Sequence, residues 1–191
     1  GSRTPRPHGA GRPASLGWAV IEIRGEQRMA EQTSCHAYFS ICSDGIIEPG
    51  VGFIANKNSY FDPEELTKRL GIQPFRTSRM GSPRRTGQGT FPFSAWHACL
   101  QKEPALDGEE QCLRIVRMLT DKIPVLNEIR REVDVEFTLM IVTEIHHEEQ
   151  PVLCFGREII AFCYLTGTEI SLDQFIYGEE SRRELEVEGT A

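Results

Sequence analysis

The stretch Phe61-Asp62-Pro63-Glu64-Glu65-Leu66, closed by Leu70-Gly71, constrains this chain more than any other. Asp62 offers a side-chain oxygen to the unpaired N–H groups of a helix start. Pro63 suits the first helical position, where no N–H is needed. Glu65 stands three residues after Asp62, as in a capping box. Phe61 and Leu66 have the spacing of a hydrophobic staple, and Gly71 suits a left-handed stop. The pattern predicts a helix over 63–70 with Leu66 and Leu70 facing the core. It also sets the direction in which the chain leaves, toward Arg76, Arg79, Arg84, Arg85 and then Trp96.

The other segments fall into place around that helix. Residues 35–42 alternate as a strand. Residues 43–60 hold Gly45, Pro49, Gly50, Gly52 and Asn56 and read as a long loop, a lid or a hairpin of its own. A strand carrying Trp96 is expected over 91–100. Asp107 caps a long helix in which Cys112, Ile115, Val116, Leu119 and Ile123 recur at helical spacing, with a break or kink at Pro124. Residues 133–145 alternate most strongly, 156–166 form a second short helix stopped by Gly167, and 168–177 form a last strand. The order strand, loop, short helix, glycine stop occurs in 36–72 and again in 135–170. The expected fold is α+β: two strand–helix–strand halves joined by a long helix, with a four- to five-stranded, mostly antiparallel sheet and helices on one face.

At 191 residues, 39% hydrophobic and 26% charged, the chain is globular in composition. No apolar run reaches the ~20 residues of a membrane span, and the expected location is cytoplasmic. Six scattered cysteines (Cys35, Cys42, Cys99, Cys112, Cys154, Cys163) read as reduced thiols rather than a disulfide framework. Gly1-Ser2 resembles a protease-cleavage scar, and residues 3–17 are rich in Pro, Gly, Arg, Ala and Ser. Residues 1–28 are expected to be a non-native, disordered leader, with Met29 the natural start. Gly25-Glu26 can be encoded by a sequence like a bacterial ribosome-binding site, two codons upstream. The rival reading makes Trp18–Ile23 a genuine strand. The domain is expected over 34–177, followed by an acidic tail over 178–191.

The net charge of -7 is uneven. Residues 1–28 carry five arginines and two glutamates, or +3, which leaves -10 for the remainder. Such a body disfavours nucleic acid and favours a basic partner.

The ordered set Tyr38-Phe39-Ser40-Ile41, Phe61–Leu66, Leu70-Gly71-Ile72-Gln73-Pro74, Arg76-Thr77-x-Arg79-x-Gly81, Trp96 and a closing strand at Tyr177 resembles an uncharacterised bacterial family, domain of unknown function 4279. The resemblance covers about residues 35–177, and the Gly/Pro-rich insertion at 43–60 departs from it. It implies no activity. Some relatives stand near polymorphic toxin systems, which implies an immunity or interaction role.

Arg76, Arg79, Arg84 and Arg85 form the one concentration of chemistry, with no acid among them. Guanidinium forks bind phosphate or carboxylate bidentately. The loop therefore reads either as an anion site, with Trp96 a stacking platform above it, or as a solvated loop paired to the acidic body; Trp96 itself reads more often as core than as a ligand platform. His146-His147 with His36, His97 or the cysteines lacks any metal-ligand spacing, so no metal or cofactor is expected. Glu64 and Glu65 explain themselves as helix-start carboxylates. Three readings stand side by side: a non-catalytic module, immunity-like, that binds a basic, toxin-like protein; a receptor for a small phosphate-bearing anion; and an uncharacterised hydrolase.

Overall fold

A computed structural model of the chain describes residues 33–84, 89–146 and 151–177. The proposed leader over 1–28 and the tail from 178 lie outside the described residues. Strand β1, Ser34–Ser43, is the middle strand of the main sheet. Its Cys35, Ala37, Phe39 and Ile41 alternate into the core, as the period-2 pattern requires. A glycine-rich stretch follows and folds on itself: β2 (Gly45–Glu48) pairs with β3 (Gly52–Ala55) as a separate two-stranded sheet. Of the two readings of 43–60, the hairpin is the one the chain adopts.

Helix α1 spans Pro63–Leu70, and its ends follow the sequence signals. The Glu64 N–H donates to Asp62 Oδ1 at 3.0 Å. Gly71 adopts φ 67° and donates its N–H to the Thr67 carbonyl; the left-handed region favours glycine there. Strand β4 (Pro74–Ser78) leads out of α1.

Strand β5 runs Ala95–Ala105, later than the sequence pattern placed it. Pro92 has no N–H for a ladder, and Phe91 to Ser94 are used in a corner instead. There the Phe91 N–H donates to the Ser82 carbonyl, and Ser94 Oγ donates to the Phe61 carbonyl while accepting from the Met80 N–H. This corner ties the arginine loop to the foot of α1.

The long helix is two helices. Helix α2 (Gly108–Leu119) is capped by Asp107, whose Oδ1 accepts from the Glu109 N–H at 2.9 Å and the Glu110 N–H at 3.4 Å. A 3₁₀ turn over Thr120–Lys122 follows, and α3 spans Ile123–Glu132. The break thus precedes Pro124, which occupies the first turn of α3 where its missing N–H costs nothing. Strand β6 (Val135–His146), helix α4 (Arg157–Thr166) and strand β7 (Glu169–Tyr177) complete the chain, and Gly167 stops α4 at φ 65°.

The sheet order is β4-β5-β1-β6-β7. All pairings are antiparallel except β6 with β7, which the α4 crossover makes parallel. Both strand–helix–strand halves are present, but they are built differently. β6 and β7 lie side by side, whereas β5 is inserted between β1 and β4. The helices cover one face, where Phe39, Phe137, Leu139, Leu119, Leu126, Ile129, Ile159 and Phe162 form the core.

Trp96 belongs to that core, at 0% exposure. Its indole Nε1–H donates to Thr67 Oγ1 at 3.0 Å, and that hydroxyl donates to the Pro63 carbonyl at 2.9 Å. The bond locks α1 onto β5. Thr67→Val, close in shape, leaves the indole N–H without its acceptor. The expected cost is ~1–3 kcal/mol, read as a lower urea midpoint with unchanged slope.

Candidate functional site

The four described residues among the five singled out from the sequence have separate surroundings. Arg79 Nη2 donates to Asp62 Oδ1 at 2.6 Å and lies 3.7 Å from a Glu64 carboxylate oxygen. It therefore reinforces the capped start of α1. Arg84 Nε donates to the Thr90 carbonyl at 3.1 Å, and its guanidinium sits 6.0 Å from the centre of the Phe91 ring, pinning its own loop. Arg85 lies outside the described residues. Trp96, enclosed in the core, presents no ring face on which a ligand could stack. Arg76 differs from these: it is exposed on β4, opposite His97 of β5, and makes no ion pair among the described residues.

Two strand irregularities shape the surroundings of Arg76. Between Pro74 and Arg76, β4 spends two residues while β5 spends one. Between Phe39 and Ala37, β1 spends two residues while β5 spends three, from Ala98 to Gln101. Cys99 sits in that second bulge at φ 60°, an uncommon conformation for a residue with a side chain. Bulges re-aim side chains, and here the result is an aromatic group on the face away from the helices. The Tyr38 ring meets Phe75 edge-on at 5.6 Å and His97 edge-on at 5.6 Å, and Phe75 lies 6.1 Å from His97.

This group is electrostatically polarised. His97 Nδ1 is buried with no hydrogen-bond partner among the described residues. Burial pushes the imidazole pKa down to about 4, and the positive Arg76 adds to the shift. Burial, with Cys42 next, pushes the Tyr38 phenol up to about 12; Arg76 opposes that rise and Asp173 adds to it.

The other half of the same face is acidic. The register aligns Glu136 with Cys42, Glu144 with Ser34, Thr138 with Glu169 and Val142 with Asp173. Glu136, Glu144, Glu169 and Asp173 thus share the face of Tyr38, together with Phe175 and Tyr177. Tyr177 stacks on His146 at 4.5 Å between ring centres. One sheet face consequently carries a cation and aromatics at its β4 end and four carboxylates across β6 and β7. The acids were readable one by one in the sequence. Their convergence depends on which strands become neighbours.

Five of the thiols are held in the protonated form by burial. Burial raises the pKa of Cys35, Cys42, Cys99, Cys112 and Cys163, in three of them to about 11 and in Cys112 to about 12. A nucleophilic cysteine needs the opposite shift. No cluster of three or more His, Cys, Asp and Glu suited to a metal occurs among the described residues. His147 lies outside them. Among the described residues no helix is long and apolar enough to cross a membrane.

The sequence model of the family "Domain of unknown function (DUF4279)" matches residues 33–177, more than half of the chain. No curated protein and no solved structure matches.

The buried imidazole gives a pH test. His97 is neutral in the fold and protonates readily only when unfolded, so stability is lost as pH falls from ~6.5 toward ~4. His97→Phe removes that contribution. Between pH 7 and pH 4.5 the native chain is expected to lose ~2 kcal/mol more than the variant, measured by urea unfolding at both values.

Proposed function

The chain belongs to the DUF4279 family, and from the face its sheet turns away from the helices we propose that it is a non-catalytic binding module for a basic protein partner. The observation that carries this reading is the sharing of one sheet face by Glu136, Glu144, Glu169 and Asp173 with Tyr38, Phe175 and Tyr177. Carboxylates spaced across two adjacent strands present a broad field to lysines and arginines, which speeds encounter and selects partners by sign. Aromatic rings among them supply large rigid contact area. The -10 balance of the chain beyond residue 28 acts in the same direction. Thiols held protonated are poor nucleophiles, which supports binding over catalysis. An immunity-type role, in which the acidic face masks a basic toxin surface, is the specific form of this proposal.

A second reading rests on Arg76. Its guanidinium stands beside an aromatic group and makes no ion pair among the described residues, a setting suited to the phosphate of a small ligand.

The two readings separate experimentally. Capture from the native host with the intact protein is expected to retain a basic protein at low salt. The double variant Glu144→Lys/Asp173→Lys, on the face away from the helices, is expected to lose it. Retention by the variant, or no basic protein with the intact chain, defeats the leading reading. The second reading expects phosphate-bearing metabolites to raise the melting temperature, and Arg76→Ala to abolish the rise.

A further inference from the structure

We propose that this chain forms a symmetric dimer through β7, with two copies of the strand pairing antiparallel into one continuous sheet. Among the described residues the main sheet ends at β4 on one side and β7 on the other. Edge strands expose unpaired backbone groups, and natural sequences blunt them with short length, proline and basic side chains. The β4 edge is blunted: it is five residues long, starts at Pro74 and carries Arg76. The β7 edge is nine residues long, Glu-Ile-Ser-Leu-Asp-Gln-Phe-Ile-Tyr, with no proline, lysine or arginine. Its helix-side residues are left open: Ile170 is 37% exposed, Leu172 41% and Ile176 74%. Helix α4, which feeds β7, adds Ile160 at 55% and Tyr164 at 85%. The two charges of β7, Glu169 and Asp173, lie on the other face, and an edge of this length with an open apolar helix side calls for a cover.

The sequence of β7 fits itself as that cover. Opposed residues in an antiparallel pair lie on the same face, so each two-fold register can be read off directly. Centring the axis on Gln174 sets Leu172 against Ile176 twice on the helix side and Asp173 against Phe175 twice on the other. Within the paired stretch 171–177 no like charges then face each other. Centring it on Asp173 sets that carboxylate against its own copy, which is destabilising. Centring it on Leu172 sets Ile170 against Gln174 and leaves Ile176 beyond the apolar pairing. The Gln174 register is therefore the one assigned. It joins two five-stranded sheets edge to edge and doubles the width of the acidic face without covering it.

Sedimentation velocity on the full chain is expected to show a dimer. The pair Leu172→Lys/Ile176→Lys and the pair Leu172→Glu/Ile176→Glu are each expected to be monomeric with unchanged circular dichroism. Mixed together, they are expected to restore a dimer, since each new ammonium then faces a carboxylate across the axis. Gln174→Cys is expected to cross-link to its own copy under mild copper–phenanthroline oxidation, above the level of the parent chain, and Leu172→Cys is not. A monomeric parent protein overturns the dimer, as it would if a strand of another protein covered this edge. Failure of the mixture to associate, or cross-linking of Leu172→Cys in preference to Gln174→Cys, overturns the register.

Discussion

The fold depends on the unbroken ladder between β1 and β6. Ten consecutive pairs, from Ser34 with Glu144 to Ser43 with Val135, fix which side chains enter the core. A slip of one residue would turn one strand over: β1 would put Phe39 and Ile41 toward solvent and His36 and Tyr38 under the helices, or β6 would do the same with Phe137 and Leu139 and with Glu136 and Glu144. The cost of burying those carboxylates without partners makes the observed register the one stable solution. The same ladder therefore creates both the core and the acidic face. Neither could be moved without the other.

The β4–β5 side is held less regularly, and its irregularity is what makes the aromatic group. A regular β4 would send Phe75 to the opposite face from Arg76. The extra residue brings the ring against Tyr38 and His97 while Arg76 stays opposite His97. The matching bulge at Cys99 holds an L-residue in a left-handed conformation. Strain of that kind persists only where surrounding structure enforces it, here β1 and β4 on either side of Ala98.

Much of the fold was legible because its signals are local. Asp62 and Gly71, Asp107, and Gly167 each mark a helix end through the backbone conformation or free N–H they satisfy, and three neighbouring residues suffice to read them. The strand starting at Ala95 was misplaced because Phe91 and Phe93 have strand-like composition, while the competing contacts of Ser94 with Phe61 and Met80 come from distant parts of the chain. The site was less legible for the same reason. Arg79 looked available because its partner, Asp62, stands seventeen residues earlier and was already assigned to capping. One carboxylate oxygen serves both the Glu64 N–H and the guanidinium. Trp96 could be read as core or as a platform, because a sequence shows its ring but not the Thr67 hydroxyl that fixes the indole inward.

These assignments shift the chemistry from the loop to the sheet. All four arginines and the tryptophan were expected to act together, yet Arg79, Arg84 and Trp96 are each committed to holding α1, the loop or the core. What they hold is the frame that keeps β4 beside β5 and so keeps Arg76 at one end of the face away from the helices. Like charges that share a face favour an approaching cation, more so at low salt. Salt reduces that attraction where the side chains are exposed and less where Tyr38 and Phe175 exclude water. A partner that lays apolar surface on those rings and cations on Glu144 and Asp173 gains from both effects at once. A small cation alone, which cannot displace the water over the rings, gains from one.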